Sequence, residues 1–373
     1  MKVFEEYPSE RLFSLDCLRG LDMLLLTVLT PLICAADDAW KLPDWVMMHC
    51  RHDWGVLSLH DVIMPCFIFM CGAAVPFALG RRMDHGRPTA GFWRHVATRF
   101  ALLYVLGSIV QCNLLSFDPM QIHVFYNTLQ VIGVAYVMTA LVMLIPSAAV
   151  RIAIPVASVL AMGLIVHLCG GGDYSQTGNF AYRFDRIFWG LFLPVRQHSL
   201  QENGCYCYLL PQLGCSALAM CGCECARVLR GTATPLRKSA ALFALSAVLF
   251  LAAALSLVWV PVIKHIYSLS FTLYTCAWSV LALAVLYVMT DVWRMRRGLG
   301  LVILFGQNAL AAYMLCALFK GGFAKAASRL TYGLPHLLDK PAGEFLTSAV
   351  ATVLFVLTLV GWSVWKRYRK LPN

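Results

Sequence analysis

The sequence predicts an all-α, polytopic integral membrane protein with about ten transmembrane helices. Of its 373 residues, 60% are hydrophobic and only 13% are charged, whereas a soluble domain carries about 25% charged residues. Its mean hydropathy is +0.70. Apolar runs of about 20 residues recur along the chain, and an α-helix of that length crosses a bilayer. Because lipid offers no partners for free backbone groups, these runs are expected to be helices.

The apolar runs define ten predicted spans within a single predicted domain, 1–373. The predicted spans are 20–37, 58–79, 96–114, 126–145, 151–169, 205–225, 239–260, 269–290, 299–319 and 343–365. The segment 170–204 between the fifth and sixth spans is rich in polar, aromatic and glycine residues and is predicted to be an outer-side loop. Loops of this length within compact domains are often functional.

The distribution of basic residues predicts the orientation of these spans. If the N-terminus is cytoplasmic, two thirds of the 30 lysines and arginines fall in cytoplasmic loops, as the positive-inside rule requires. An even number of spans then returns the C-terminus to the cytoplasm. The net charge of +11 is therefore explained by basic residues in the cytoplasmic loops, which also contact anionic lipid head groups. No nucleic-acid partner is predicted. No cleavable signal is evident at the start, and a bacterial cytoplasmic (inner) membrane is expected.

The stretch HCRHDWGVLSLHDVIMP, residues 49–65, gathers titratable groups beside the predicted second span. His49 and His52 precede the span, and Asp61 lies just inside it. An ionisable residue at that depth often marks a pathway or a site, and a histidine can accept a proton from an amine near neutral pH. The alternative is a polar collar in which Asp61 is the N-cap of the helix. Without an HExxH motif or compact ligand spacing, no metal site is predicted.

Other polar residues beside or within the predicted spans are candidates for binding or for bonds between helices. They are Asp16 and Arg19 in the first span region, Arg99 in the third, Asn127 and Gln130 in the fourth, Lys264 and Ser270 near the eighth, and Gln307 and Asn308 in the ninth. Asp16 and Arg19, three residues apart, are expected to pair on one helix face. The cysteine-rich run 205–225 lacks the paired C-x-x-C spacing of a zinc site, so helix packing is predicted there.

Five stretches, in order, resemble the heparan-alpha-glucosaminide N-acetyltransferase family, whose bacterial relatives are often labelled as a domain of unknown function. RLFSLDCLRGLDM is similar to the family's R-x-x-S-x-D-x-x-R-G opening, and WGVLSLHDVIMPCFIFMCGAAV to its W-x-G-x-x-x-x-D-x-x-F-P segment. NTLQVIGVAY resembles G-V-L-Q-R-x-G-x-x-Y, and GNFAYRFDR, which contains Asp185, resembles a loop block of the bacterial members. PVIKHIYSLSFTLYT and FGQNALAAY resemble the last two blocks, P-x-x-K-x-x-W-S-x-S-F and G-x-N-x-x-x-x-Y.

The resemblance implies that acetyl from cytoplasmic acetyl-CoA is transferred to the amine of a terminal glucosamine on the outer side, as in heparan sulfate. A histidine before the W-x-G block would be the base or would carry the acetyl group, and no metal is implied. The resemblance also implies a homodimer. Read with the residues, it assigns His52, Asp61 and His49 to catalysis, the side chains of Lys264, Ser270, Asn308, Asn127, Gln130 and Asp185 to the acceptor, and Arg19 and Arg99 to the coenzyme A phosphates.

The chain departs from the family pattern at three places, at one of which Gly55 follows Trp54 directly instead of standing two residues after it. The family's histidine commonly stands three residues before the tryptophan, where this chain has Arg51, whereas His52 and His49 stand two and five residues before Trp54. The family's active-site asparagine in the first span corresponds to Thr30. A sugar permease or sugar-binding membrane protein without transferase activity is the alternative, because buried amides also suit a sugar path. No internal symmetry of the transporter type is visible, which favours the enzyme.

Overall fold

The computed structural model describes residues 12–84, 87–111, 127–192, 206–207, 209–333 and 337–368. These ranges are almost entirely helical, which confirms the predicted all-α fold. Their one small sheet pairs β1, Met83–Asp84, with β2, Arg87–Pro88, in antiparallel register. The α-helices are α1 Phe13–Leu24, α2 Thr30–Trp40, α3 Asp44–Met47, α4 Leu59–Leu79, α5 Ala90–Gln111, α6 Thr128–Met143, α7 Ala148–Gly170, α8 Phe180–Phe192, α9 Pro211–Arg230, α10 Pro235–Ser256, α11 Leu269–Leu286, α12 Gly300–Gln307, α13 Ala309–Leu330 and α14 Lys340–Tyr368.

Seven helical stretches in the described ranges are long and apolar enough to cross a membrane. They are Phe13–Trp40, Leu59–Leu79, Ala148–Gly170, Pro235–Ser256, Leu269–Val292, Ala309–Leu330 and Lys340–Lys366. The first and fifth of these are continuous because the π-helical turns Leu25–Leu29 and Tyr287–Val292 extend α1 and α11. Each of the ten predicted spans overlaps a helix, so the polytopic membrane class is confirmed, while the number of crossings and their orientation stay predictions.

The structure adds detail to three of the predicted segments. The first helix begins at Phe13 instead of residue 20, because its first two turns contain the charged residues Asp16 and Arg19, which interrupt the apolar pattern that defines a span. Within the segment 170–204, α8 occupies Phe180–Phe192, while 193–204 lie outside the described residues and the outer-side position of the segment stays a prediction. The predicted ninth span, 299–319, is interrupted at Asn308, whose backbone is not helical, with φ −119° and ψ 25°.

The chain forms two compact units, which are described separately. The first unit consists of Met1–His52, Ser58–Ile63 and Leu286–Asn373, and the second consists of Asp53–Leu57 and Met64–Val285. The prediction of one functional domain stays a prediction.

In the first unit, α1 packs closely on α12 because two glycines lie at the crossing. A Cβ at Gly20 would overlap the carbonyl of Val302, and a Cβ at Gly306 would overlap the carbonyl of Asp16. Glycine is therefore needed there for the approach of two backbones rather than for an unusual dihedral angle. α14 packs against both α13 and α2.

The start of α1 is held by a residue distant in sequence. The backbone amides of Phe13 and Ser14 donate to the two carboxylate oxygens of Asp291, at 3.2 and 2.9 Å. The guanidinium of Arg296 lies 3.7 Å from the same carboxylate and 4.7 Å from the centroid of the Phe13 ring. A carboxylate at a helix N-terminus satisfies orphan amides and interacts favourably with the helix dipole.

In the second unit, α9 packs against the main part of α4 and against α6 and α7. Cβ atoms at Gly72 and Gly222 would overlap the backbones of Ala219 and Phe69, so small residues again allow close contact between helices. Arg151 lies 2.9 Å from Glu224 and donates to the carbonyls of Ile145 and Pro146. This ion pair ties the start of α7 to α9.

Candidate functional site

His52 and Asp61 form the closest pair of titratable groups in the stretch 49–65. Nδ1 of His52 lies 2.6 Å from Oδ1 of Asp61. The His52 side chain is 37% exposed, whereas that of Asp61 is 1% exposed. Because an ionised carboxylate only accepts hydrogen bonds, this contact assigns the proton of a neutral imidazole to Nδ1. In that tautomer Nε2 carries the lone pair through which a general base accepts a proton.

The first turn of α4 fixes the position of Asp61. The backbone amide of Ser58 donates to Oδ2 of Asp61 at 3.0 Å, and the backbone amide of Asp61 donates to the Ser58 hydroxyl at 3.1 Å. This reciprocal pair is a capping box in which Ser58 is the N-cap. The alternative that Asp61 is the N-cap was therefore wrong, because Asp61 occupies the third helical position and uses one oxygen for the cap and the other for His52.

His60 and His49 lie beside this pair. The rings of His60 and His52 meet edge to face, with 4.6 Å between their centroids, and the His60 amide donates to the His49 carbonyl at 3.2 Å. The side chains of His49 and His60 line a cavity of about 200 Å³ in the first unit. The structure thus brings the two predicted histidines, His60 and Asp61 into one neighbourhood.

Cys50 also lines this cavity. Burial raises the pKa of Cys50, and the neighbouring Cys34 thiol and Asp37 carboxylate raise it further. Cys50 is therefore present as a neutral thiol at physiological pH, which makes it a weak nucleophile.

Two further predicted residues belong to the first unit. Arg19 lies 3.4 Å from Asp16, which confirms the expected pair on one helix face. The Asn308 amide donates to the Leu304 carbonyl at 2.9 Å and to the Ser363 hydroxyl at 3.4 Å. Asn308 therefore caps the end of α12 and bonds to α14, as the prediction of an interhelical amide bond requires.

Lys264 and Ser270 lie in the second unit, and both are buried. The Ser270 hydroxyl donates to the Pro261 carbonyl at 2.8 Å. Beside Lys264, the ring of His265 lies between Trp54 and Tyr206, with centroid distances of 4.9 and 4.2 Å. This aromatic stack fixes the turn that carries Lys264.

Trp54 also connects this stack to the turn after α7. Its Nε1 donates to the Tyr174 carbonyl at 3.1 Å, and the Tyr174 hydroxyl lies 3.1 Å from Nδ1 of His167. Burial raises the pKa of Tyr174, so its phenol remains protonated. The indole nitrogen of Trp54 is therefore bonded to protein.

The remaining predicted binding residues are also in the second unit. Asn127 and Gln130 form the capping box of α6, and the Gln130 amide donates to the Ser108 hydroxyl at 3.0 Å. Asp185 is fully buried on α8 and accepts from the Leu209 amide at 3.4 Å. Arg99 is exposed on α5. Asn127 and Gln130 therefore have a structural role that accounts for their burial.

Two residues important to this geometry were missed in the sequence. Ser58 had a signal, because S-x-x-D is the spacing of a capping box. Asp291 had no local signal, because its partners at the start of α1 are 277 and 278 positions away in the sequence. Contacts of that separation do not follow from helical periodicity.

Comparison with known proteins identifies the family of the chain. Among the described residues, no group of three His, Cys, Asp or Glu side chains is arranged to hold a metal ion. No curated protein matches the chain. The model of the family described as heparan-alpha-glucosaminide N-acetyltransferase, catalytic, matches residues 11–257, which include the capping box, His52 and Asp61. The chain therefore belongs to the heparan-alpha-glucosaminide N-acetyltransferase catalytic family, a family of transmembrane acetyltransferases with acetyl-CoA as co-substrate.

Proposed function

We propose that this chain transfers acetyl from cytoplasmic acetyl-CoA to the amine of a terminal glucosamine, or of a related amino sugar, on the outer side of a bacterial cytoplasmic membrane. The single observation that carries the proposal is the 2.6 Å contact between His52 and Asp61. The family match supports the transfer reaction and the donor. The cytoplasmic position of both termini is part of the proposal, as is the homodimer.

His52 is the general base in this proposal. A glucosamine ammonium must lose a proton before its nitrogen attacks a thioester, and a positioned histidine contributes about 10²- to 10⁴-fold to such a step. Nε2 of His52 accepts this proton and releases it to solvent. It then accepts the second proton, which the nitrogen loses as the C–N bond forms and the C–S bond breaks, and gives it to the departing thiolate of coenzyme A. His49 is the less favoured candidate, because among the described contacts only its backbone carbonyl bonds within the cluster.

Asp61 is a positioning residue. Its Oδ1 holds Nδ1–H of His52, and its negative charge stabilises the imidazolium that forms during transfer, as the third member of a catalytic triad does. The Ser58 amide on Oδ2 fixes the carboxylate plane. A hydrogen bond that fixes the residue behind the base, as the Ser58 amide fixes Asp61, keeps the base in the narrow range of positions that catalysis requires.

The remaining residues have assigned binding roles in the proposal. The residues assigned to the acceptor are Lys264, Ser270, Asp185, Asn127 and Gln130 of the second unit and Asn308 of the first unit. Lys264, Ser270 and Asn308 are also candidate donors to the developing oxyanion. Arg19 and Arg99 are assigned to the coenzyme A phosphates, because a guanidinium binds phosphate through paired hydrogen bonds. Arg19 already has a carboxylate partner in Asp16, so phosphate would compete with that pair.

The test uses purified full-length protein in proteoliposomes with acetyl-labelled coenzyme A and glucosamine. We expect label in the sugar with the wild type, a loss of at least about 10²-fold with His52→Ala, and partial rescue of that variant by added imidazole. His167→Ala, which removes another histidine bonded to protein, is the matched control and is expected to transfer normally.

Two outcomes would contradict the proposal. Full transfer by His52→Ala would remove His52 as the base. Uptake of labelled sugar without acetyl-CoA, together with no transfer to any amino sugar, would favour the permease.

A further inference from the structure

Three basic side chains gather where α4, α5 and α6 meet in the second unit. Arg82 ends the 3₁₀ turn Gly80–Arg82 after α4, and His95 and Arg99 lie four residues apart on α5. That spacing places the two α5 side chains on one helix face. The amide and the hydroxyl of Thr89 donate to the Arg82 carbonyl at 3.3 and 2.8 Å, which holds Arg82 beside the start of α5.

A shared apolar core brings these residues to Tyr136 of α6. Leu79, three residues before Arg82, is buried in the same cluster as the Tyr136 ring. Val96, the neighbour of His95, belongs to that cluster as well. The end of α4 and the first half of α5 are therefore held against the same part of α6, and the basic side chains surround the phenol.

The positive charges of this cluster act on one another. Burial lowers the pKa of His95, which precedes the predicted third span, and the guanidiniums of Arg82 and then Arg99 lower it further. The same guanidiniums act on the Tyr136 phenol. One N–H group of Arg82 donates to the Ala78 carbonyl. Among the side chains that the structure describes, no carboxylate pairs with Arg82 or Arg99, so an anion would relieve their repulsion.

The Tyr136 hydroxyl is an independent observation that points to a ligand. Tyr136 is 2% exposed, and its hydroxyl oxygen is buried without a hydrogen-bond partner among the described residues. A buried hydroxyl without a partner is penalised. Because guanidinium groups only donate, an anion between them would accept from both arginines and from the hydroxyl together.

The charge of the cluster matches a phosphate monoester. Such a group carries a charge of about −1.5 to −2 at neutral pH and presents three acceptor oxygens. A phosphodiester, as in a lipid head group, carries a single charge and has fewer free oxygens. Coenzyme A has a phosphate monoester on the 3′ position of its ribose. In the predicted orientation the turn between α4 and α5 faces the cytoplasm, where the donor is found.

We propose that Arg82, Arg99 and the Tyr136 hydroxyl, with His95 beside them, bind the 3′-phosphate of coenzyme A. The inference rests on the proposed function and deepens it, because it assigns one phosphate of the donor to a defined set of residues. Since the Tyr136 hydroxyl is enclosed in the ligand-free protein, the long side chains around it change rotamer when the phosphate binds. Dephospho-coenzyme A, which lacks only this phosphate, is the matched probe.

The first experiment measures the Kd of coenzyme A and of dephospho-coenzyme A for the full-length protein in phosphatidylcholine nanodiscs. Binding is measured without turnover. We expect the wild type to bind coenzyme A at least about tenfold more tightly, because the 3′-phosphate makes charge-assisted hydrogen bonds. In Arg82→Gln this preference should fall to about twofold or less, through weaker binding of coenzyme A and little change for dephospho-coenzyme A.

Arg94→Gln is the matched control for charge. Arg94 is exposed on α5 and adjacent to His95 in the sequence, yet it is not among the charges that act on His95. The variant removes the same charge from the same helix and should keep the preference of the wild type. An equal loss of preference in Arg94→Gln and Arg82→Gln would indicate general attraction of anions to a basic surface and would overturn the site.

Tyr136→Phe tests the buried hydroxyl through two effects of opposite sign. It removes a polar group that has no partner, so the thermal midpoint of the ligand-free protein should rise. The preference for coenzyme A over dephospho-coenzyme A should nevertheless fall by at least about threefold. A less stable variant with the preference of the wild type would show that the hydroxyl serves the fold, and it would overturn the inference.

A final arm distinguishes coenzyme A from a lipid head group. Phosphatidylglycerol is added to the nanodiscs, and bound lipid is counted by native mass spectrometry. Lipid that is lost in Arg82→Gln, together with equal Kd values for the two coenzymes in the wild type, would assign the cluster to lipid and overturn the inference. If acetyl transfer still occurred, the proposed function would remain. Failure of coenzyme A to bind at all would contradict both.

Discussion

Nδ1 of His52 lies 2.6 Å from Oδ1 of Asp61, whose other oxygen accepts from the Ser58 amide. The carboxylate therefore has one partner in the helix cap and one in the proposed base. This arrangement separates two effects that a substitution could have. Loss of the bond to His52 affects chemistry, and loss of the cap affects the stability of α4.

Asp61→Asn should lower acyl transfer by about 10²-fold or more, because an amide oxygen orients the imidazole but does not stabilise its cation. The rate at saturating donor and acceptor should fall more than KM changes, since the charge is needed in the transition state. The control is Asp44→Asn, which changes an exposed acid in the first turn of α3. A wild-type rate for Asp61→Asn would contradict the positioning role.

Ser58→Ala should destabilise the protein by about 1 kcal/mol, the usual cost of removing an N-cap hydroxyl. Ser58→Thr keeps an acceptor at the same position and should recover most of that loss. The measurement is the free energy of unfolding in mixed detergent micelles. Equal stability of the alanine and threonine variants would show that the hydroxyl does not cap α4.

Asp291→Ala should destabilise the protein by about 2 kcal/mol, because two backbone amides lose a charged acceptor. Asp291→Asn should lose less, since an amide oxygen still accepts one of the two bonds. The matched control is Glu344→Gln, which removes an exposed carboxylate 3.9 Å from Lys340. Surface pairs of that kind contribute about 0 to 1 kcal/mol. The measurement is the thermal unfolding midpoint in detergent, which should fall more for Asp291→Ala than for Glu344→Gln.

Gly306→Ala should destabilise the protein by at least about 1–3 kcal/mol, because the new methyl would overlap the Asp16 carbonyl at the crossing of α1 and α12. Gly321→Ala is the opposite case. Gly321 lies inside α13 with open space around its Cβ position, so alanine should stabilise the helix by about 0.5–1 kcal/mol. Equal midpoints for the two variants would contradict the close crossing.

The turn after α7 should loosen in acid. Hydrogen bonds from the backbone amide and then the hydroxyl of Ser175 lower the pKa of Asp173 below its ordinary value, and Arg183 lowers it further. A carboxyl group whose pKa is lower in the folded state than in the unfolded state stabilises the fold at pH values above the unfolded-state pKa of about 3.9. This stabilisation is lost as the pH falls through the folded-state pKa.

Hydrogen exchange of the turn amides, corrected for intrinsic rates, should therefore increase from about pH 5 to about pH 3. In Asp173→Asn the corrected rates should not change over that interval. The same acid response in both proteins would exclude the Asp173 carboxyl as its cause.

The sequence predicted the helical class and much of the candidate site because both depend on local pattern. Apolar runs identify helices that lipid requires, and His52 and Asp61 are separated by only nine positions. Asp16 and Arg19 were paired correctly because helical spacing determines which side chains meet. The helix α8 was missed because polar and aromatic residues at 180–192 resemble a loop more than a span.

Other contacts were not predictable from one sequence. Asp291 meets Phe13 and Ser14 only because α1 and the end of α11 come together in the folded first unit. The π-helical turn Leu25–Leu29 shifts the helix register within an apolar run in which no residue indicates it. The break at Asn308 was hidden because apolar residues continue on both sides, and hydropathy does not report backbone dihedral angles.

The break at Asn308 has a consequence for how the protein is inserted into its membrane. The eight residues of α12 extend about 12 Å, less than half of the roughly 30 Å hydrocarbon core. α12 alone is therefore too short to cross the hydrocarbon core. Its close packing on α1, which Gly20 and Gly306 allow, is expected to form only after both segments have been synthesised. We therefore expect the folding of the C-terminal third to depend on the first helix made.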